Sequence, residues 1–173
     1  GAQHLQQLGN VPRPHQVEWV AALQALEVEP ACYDDGCIAC RAHRELRLLI
    51  VAFPGAGKTV TLVEFAAWAA GRRPLQAALA FVSFADDLAR DRARAVRDII
   101  WDDPPSAVTE RYRLVFPDAQ PKRDAWGQEQ WKLAGRDPNL PNSTMVGCGY
   151  AGKIQGQRLT GEILDDLFRP ETW

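Results

Sequence analysis

Apolar positions along this chain fall into blocks with two different spacings. After Val11–Pro14, whose two prolines favour extended backbone, His15–Leu26 places Trp19, Ala22, Leu23 and Leu26 along one helical face. Glu27–Arg44 is polar. Leu46–Phe53 is then a continuous apolar run, the pattern of a strand buried on both faces. Lys58–Ala70 is apolar nearly all round, which predicts a buried helix, with Gly71 as its expected stop. Gln76–Phe84 reads as a second buried strand. Ala85–Ile100 reads as a helix with Leu88, Val96, Ile99 and Ile100 inward and alternating Arg and Asp on a solvated face. Asp102–Pro141 is rich in Pro and Asp, so irregular structure with short elements is expected, anchored by Trp126 and Trp131. Ser143–Ala151 and Gly161–Leu167 read as further strands. Strands alternating with helices predict an α/β fold around a mostly parallel central sheet flanked by helices.

The 173 residues suit one domain, and the net charge of −2 excludes a global basic field of the kind that attracts nucleic acid. A local basic face stays open. The best membrane candidate, Val60–Ala70, is too short to span and contains Glu64, and no secretory signal pattern is present. A disulfide framework therefore does not fit. Cys32, Cys37, Cys40 and His43 instead have the ligand types of a small structural Zn²⁺ site, set against the alternative of free thiols in an exposed insertion; Cys148 stands alone.

The junction between the first apolar run and the buried helix carries the strongest chemistry. Ala52-Phe53-Pro54-Gly55-Ala56-Gly57-Lys58-Thr59 is a strand-to-helix turn ending in Gly-Lys-Thr. In such a turn, backbone N–H groups from Gly55, Ala56, Gly57, Lys58 and Thr59 at the helix N-terminus converge on one anion, with Pro54, which has no N–H, shaping the nucleotide-binding turn. Lys58 reaches the β/γ-phosphates of a nucleotide, and the Thr59 hydroxyl is a ligand for Mg²⁺. Ala52 replaces the first glycine of the usual phosphate-loop pattern.

A phosphate loop needs a carboxylate partner, and Gly161-Glu162-Ile163-Leu164-Asp165-Asp166 is the best candidate. Asp165 is expected to hold the metal shell and Asp166 to orient or deprotonate the attacking water. Gln16 stands upstream of the loop, and its amide suits the edge of adenine.

With these residues in place, the chain resembles the ATPase domain of phage large terminase subunits, the motors that package DNA into proheads. Pro14-His15-Gln16 is similar to that family's adenine-side motif, and Ala52–Thr59 to its phosphate loop, which commonly lacks the first Gly. Phe81–Ala89 resembles the second strand and helix. Val115–Asp118, Trp131 and Arg136-Asp137-Pro138 resemble the middle segment. Gly149–Arg158 and Ile163–Leu167 resemble the approach to the acidic motif. The resemblance implies a P-loop NTPase fold (ASCE/RecA-like) and Mg²⁺-dependent ATP hydrolysis powering translocation of double-stranded viral DNA. It also implies a small terminase subunit and a portal as partners, a homo-oligomeric ring with a monomeric isolated fragment, no membrane association, and the host cytoplasm as location.

The departures shape the expectations. Many terminases carry an arginine inside the loop, whereas Phe53-Pro54-Gly55 has none, so Arg158, seven positions before Asp165 and therefore expected near the rim of the site, is expected to supply that charge to a neighbouring subunit. The alternative is that Arg158 pairs with Glu162 or packs on its own sheet. The family's ATPase continues into a further strand and a nuclease domain, so residues 1–173 are expected to form an N-terminal ATPase domain incomplete at its C-terminal end. A helicase-like ATPase and an inactive nucleotide-binding module are the competing readings.

Overall fold

The computed structural model describes residues 13–26, 48–127, 130–137, 139–140, 142–152 and 158–167. They divide into two compact units, one up to Thr61 and one from Leu62 onward. The Cys32, Cys37, Cys40 and His43 cluster lies outside the described residues, as do Lys153–Gln157.

In the first unit, α1 (Pro14–Leu26) forms where the periodicity predicts it, with Leu23 buried. Pro14 occupies the first helical position, where its missing N–H costs no helical hydrogen bond. The carboxamide Oε1 of Gln16 accepts the Arg13 N–H at 2.9 Å, the return bond of a capping box. The expected strand over Leu46–Phe53 is not found among its described residues. Residues 48–53 carry no regular structure, and Leu49 and Val51 are each 84% exposed. An apolar run becomes a strand only where an edge supplies ladder hydrogen bonds, and none of these residues is in the sheet.

The boundary between the units falls within α2 (Lys58–Arg72). Its part in the second unit buries Val63, Ala66, Ala67, Ala69 and Ala70. Gly71 does not stop this helix; it lies inside it. A Cβ on Gly71 would stand 2.5 Å from the Tyr112 hydroxyl and 2.6 Å from the Phe116 ring. The glycine therefore serves close packing rather than termination.

The second unit is α/β. A five-stranded sheet in the order β2-β3-β4-β1-β5 is built from β1 (Leu79–Ser83), β2 (Pro121–Trp126), β3 (Gln130–Leu133), β4 (Met145–Gly149) and β5 (Gly161–Leu164). β1 pairs in parallel with β4 and β5, whereas β2–β3 and β3–β4 are antiparallel. The sheet is mixed rather than mostly parallel, because the segment expected to be irregular contributes a hairpin. Helix α3 (Asp86–Ile100) packs on β1 and β4 through Ala89, Ala93, Val96 and Ile100. Its outer face carries the i,i+3 pairs Arg90–Asp87 and Arg94–Asp91. Helix α4 (Ala107–Val115) is capped by the Ser106 hydroxyl, which accepts the Thr109 N–H at 3.2 Å.

One apolar cluster unites Phe81, Val96, Ile100, Tyr112, Trp131, Leu133 and Met145. Its polar atoms are satisfied locally: Tyr112 Oη donates to the Ala67 carbonyl at 2.9 Å, and the Trp131 indole donates to the Ala93 carbonyl at 3.2 Å. Arg136 ties the starts of β1 and β4 by donating to the Ala77 carbonyl and to Thr144 Oγ1. Desolvation holds its pKa below the ordinary guanidinium value.

Candidate functional site

The loop of the first unit is made by two residues in the left-handed region, Gly55 (φ 81°) and Gly57 (φ 88°). Only glycine takes up such angles without steric cost. A turn closes between them and Phe53, with the Ala56 N–H donating to the Phe53 carbonyl at 3.3 Å. The chain then enters α2 at Lys58. The Gly57 carbonyl accepts the first helical bond from the Thr61 N–H at 3.0 Å, and the Thr61 hydroxyl donates to the same oxygen at 3.0 Å. The first turn of α2 contains no acidic residue, so no carboxylate opposes the positive end of the helix dipole from within that turn.

Lys58 folds back over this turn. Its Nζ donates to the Ala52 carbonyl at 2.9 Å and to the Phe53 carbonyl at 3.4 Å. The ammonium is thus held beside the glycines by weakly attractive neutral acceptors, which a phosphate would displace as the stronger partner. Helix α1 braces the loop from the other side. His15 Nε2 donates to the Ala56 carbonyl at 3.1 Å, a contact that requires the Nε2-protonated tautomer or the imidazolium. A Cβ on Gly57 would stand 2.4 Å from Gln16 Nε2. The segment expected to face adenine supports the loop and caps its own helix. Its sequence signals were Pro at the first helical position and Gln two residues on.

In the second unit, the parallel strands β1, β4 and β5 end together at Ser83, Gly149 and Leu164. This is the end of an α/β sheet where ligands bind. The Asp165 N–H donates to the Val82 carbonyl at 2.9 Å, and the Phe84 N–H donates to the Asp166 carbonyl at 3.1 Å. The acidic pair is thereby fixed to β1. The two carboxylates differ in setting: Asp165 is 5% exposed, while Asp166 is exposed and takes a left-handed φ of 48°. A non-glycine residue held there is strained, and such strain concentrates at functional sites. Asp86, in the first turn of α3, accepts the Gly149 N–H at 2.6 Å and joins this end of the sheet, unlike the solvated face expected for the Arg and Asp residues of that helix. Burial pushes the Cys148 thiol up, with Asp86 and Glu162 adding to it, so Cys148 is poorly suited to nucleophilic chemistry.

Two further residues need placing. Arg158 is exposed, and its carbonyl accepts from Asn142 Nδ2 at 2.6 Å. It precedes β5, whereas Asp165 follows it, so Arg158 stands at the opposite end of that strand from the acidic pair and not at the rim expected from its place seven residues before Asp165, because an extended strand separates the two. In the sequence Glu64 is simply an interruption of an apolar run. It is 9% exposed, its Oε2 is buried with no hydrogen-bond partner among the described residues, and desolvation raises its pKa from 4.5 to about 7.

Among the described residues, no three His, Cys, Asp or Glu side chains group as a metal centre, and no helix is long and apolar enough to cross a membrane. A nucleotide-bound Mg²⁺ does not need such a group, because phosphates and waters supply most of its oxygens. Thr59 in the first unit and Asp165 in the second each carry an oxygen of the hard type that Mg²⁺ takes. No family model, curated protein or solved structure matches the chain.

Proposed function

We propose that this chain is an ATP-hydrolysing P-loop domain (ASCE/RecA-like) of the terminase type, working on double-stranded DNA as part of a homo-oligomeric packaging ring with a small subunit and a portal. The observation that carries the reading is the loop itself. Gly55 and Gly57 are both left-handed, α2 begins immediately afterwards, and Lys58 arches back over the turn. Each feature has its own sequence cause, and together they form an anion cradle.

In this reading the N–H groups from Gly55 to Thr59 hold the β- and γ-phosphates and Lys58 neutralises charge on the transferred group. Mg²⁺ held through Thr59 and Asp165 would neutralise further phosphate charge. Asp166 accepts a proton from, or aligns, the water that attacks the γ-phosphorus as the bond to the ADP oxygen breaks. Arg158 is proposed to act on a neighbouring subunit because the loop itself lacks an arginine; its place at the far end of β5 from its own acidic pair does not add to that reading. The test is steady-state ATP hydrolysis by the full chain with Mg²⁺, with and without duplex DNA, alone and assembled. Turnover that rises on assembly and falls when Arg158→Ala subunits are mixed in supports the reading. Full turnover by a monomer removes Arg158 from it, and absence of ATP binding overturns it.

A further inference from the structure

Asp86 reaches from the start of α3 to the end of β4, a segment without a part in the phosphate chemistry. Its Oδ1 accepts the N–H of Gly149, the last residue of β4, at 2.6 Å, and a carboxylate acceptor makes such a bond a strong one. Gly149 permits the approach: a Cβ there would stand 3.0 Å from Asp86 Oδ1 and 3.1 Å from the Asp86 nitrogen. A turn follows directly, closed by the Gly152 N–H donating to the Gly149 carbonyl at 2.7 Å.

This turn leads back to the acidic pair through one peptide group. The Tyr150 N–H donates to the Ser83 carbonyl at 2.8 Å. The nitrogen of that same peptide belongs to Phe84, and its N–H donates to the Asp166 carbonyl at 3.1 Å. Asp86 comes two residues after Phe84. Two hydrogen bonds therefore join residues 83–86 to Gly149 and Tyr150, and one of them is its own. A peptide held at its oxygen is polarised and donates more strongly from its nitrogen. Asp166 needs such a hold, because a φ of 48° in a residue other than glycine persists only where the surroundings impose it.

An acid in the first turn of a helix also complements the helix dipole. That purpose is served equally by Asp87, which pairs with Arg90 at 3.5 Å. It does not account for the bond from Asp86 to the end of β4.

We propose that Asp86 is a positioning residue for Asp166, acting through Gly149, Tyr150 and the Ser83–Phe84 peptide. The inference rests on the reading of Asp166 as the residue that handles the attacking water in ATP hydrolysis. Asp86 then governs turnover and leaves nucleotide affinity alone.

The experiment combines steady-state ATP hydrolysis and Mg-ATP binding by the full chain, alone and assembled, with amide hydrogen exchange read at Phe84 by NMR. Asp86 is exposed, so truncating it opens no core cavity, and thermal melting checks that each variant is folded. For Asp86→Ala we expect kcat to fall about tenfold and Phe84 to exchange about tenfold faster, the size of one hydrogen bond to a charged group. The Kd for Mg-ATP should stay within about twofold, as for an interaction that matters only in the transition state. Asp86→Asn should recover most of both losses, because its carboxamide oxygen accepts the same N–H. Asp87→Ala, which removes the same charge from the same helical turn, should match the wild type. Wild-type kcat or wild-type exchange at Phe84 in folded Asp86→Ala overturns the proposal. So does an equal loss in Asp86→Asn or Asp87→Ala, which would make charge the cause, or a parallel fall in ATP affinity, which would make the disturbance general. In each of these cases turnover by the wild type leaves the ATPase reading standing. Absence of turnover by the wild type, alone and assembled, overturns that reading and this role with it.

Discussion

The carboxamide of Gln16 fills the space that a side chain on Gly57 would need: a Cβ there would stand 2.4 Å from Gln16 Nε2. Helix α1 and the glycine loop are therefore fitted to each other. Gly57→Ala should damage the loop twice, through its φ of 88° and through displacement of Gln16 from Arg13. A loss on the order of 1–2 kcal/mol is expected from the backbone angle alone. Adding Gln16→Ala should restore only the part due to the clash. Urea unfolding of the two single variants and the double separates the terms, and full recovery in the double would contradict a backbone cause.

Gln16→Ala should also weaken ATP more than GTP, if the exposed part of the amide serves adenine as well as the helix cap. Competition binding with both nucleotides reads this directly. Equal losses would leave Gln16 with its bracing role alone.

Gly71→Ala should destabilise the second unit by about 1–3 kcal/mol, a typical cost of forcing a methyl into a filled core. Tyr112 Oη and the Phe116 ring would have to move, and Tyr112 would lose its bond to the Ala67 carbonyl. Thermal melting checks it; an unchanged midpoint would show that the space is not filled as described.

Glu64 should make stability pH-dependent. Its folded pKa, about 7, lies above the ordinary 4.5, so the folded chain holds a proton that the unfolded chain releases. Stability is then unpenalised below about pH 4.5, falls as pH rises, and reaches its full loss above about pH 7, a loss on the order of 3 kcal/mol. Glu64→Gln lacks this dependence and should gain on the wild type across that window. Denaturant titrations at several pH values test it, and parallel curves for the two proteins would refute it.

What the sequence made legible follows from what local patterns encode. β1 and α3 were readable because burial on both faces and a 3.6-residue period each leave a distinct trace. The hairpin was not readable, because the bulge at Lys122–Asp124 destroys the two-residue alternation that marks a strand. Gly71 looked like a stop because helix termination and close helix packing call for the same residue. Leu48–Phe53 looked like a core strand because an apolar run says nothing about whether an edge is present to pair with it. The loop glycines and Lys58 were legible because their spacing and their geometry share one cause. Asp86 and Glu64 were not, since only the fold shows which carboxylates it brings to a strand end or encloses.

The most direct test of the central claim is calorimetric titration of Mg-ATP into the wild-type chain and into Lys58→Ala, with thermal melting of both. Among the described residues, the Lys58 ammonium donates to the loop carbonyls of Ala52 and Phe53, so its removal should leave folding nearly unchanged. The account predicts saturable ATP binding by the wild type and a loss of tenfold or more, about 1.4 kcal/mol or greater, in a variant that melts normally. Equal affinity in the two folded proteins would contradict the claim that residues 52–59 hold the phosphates.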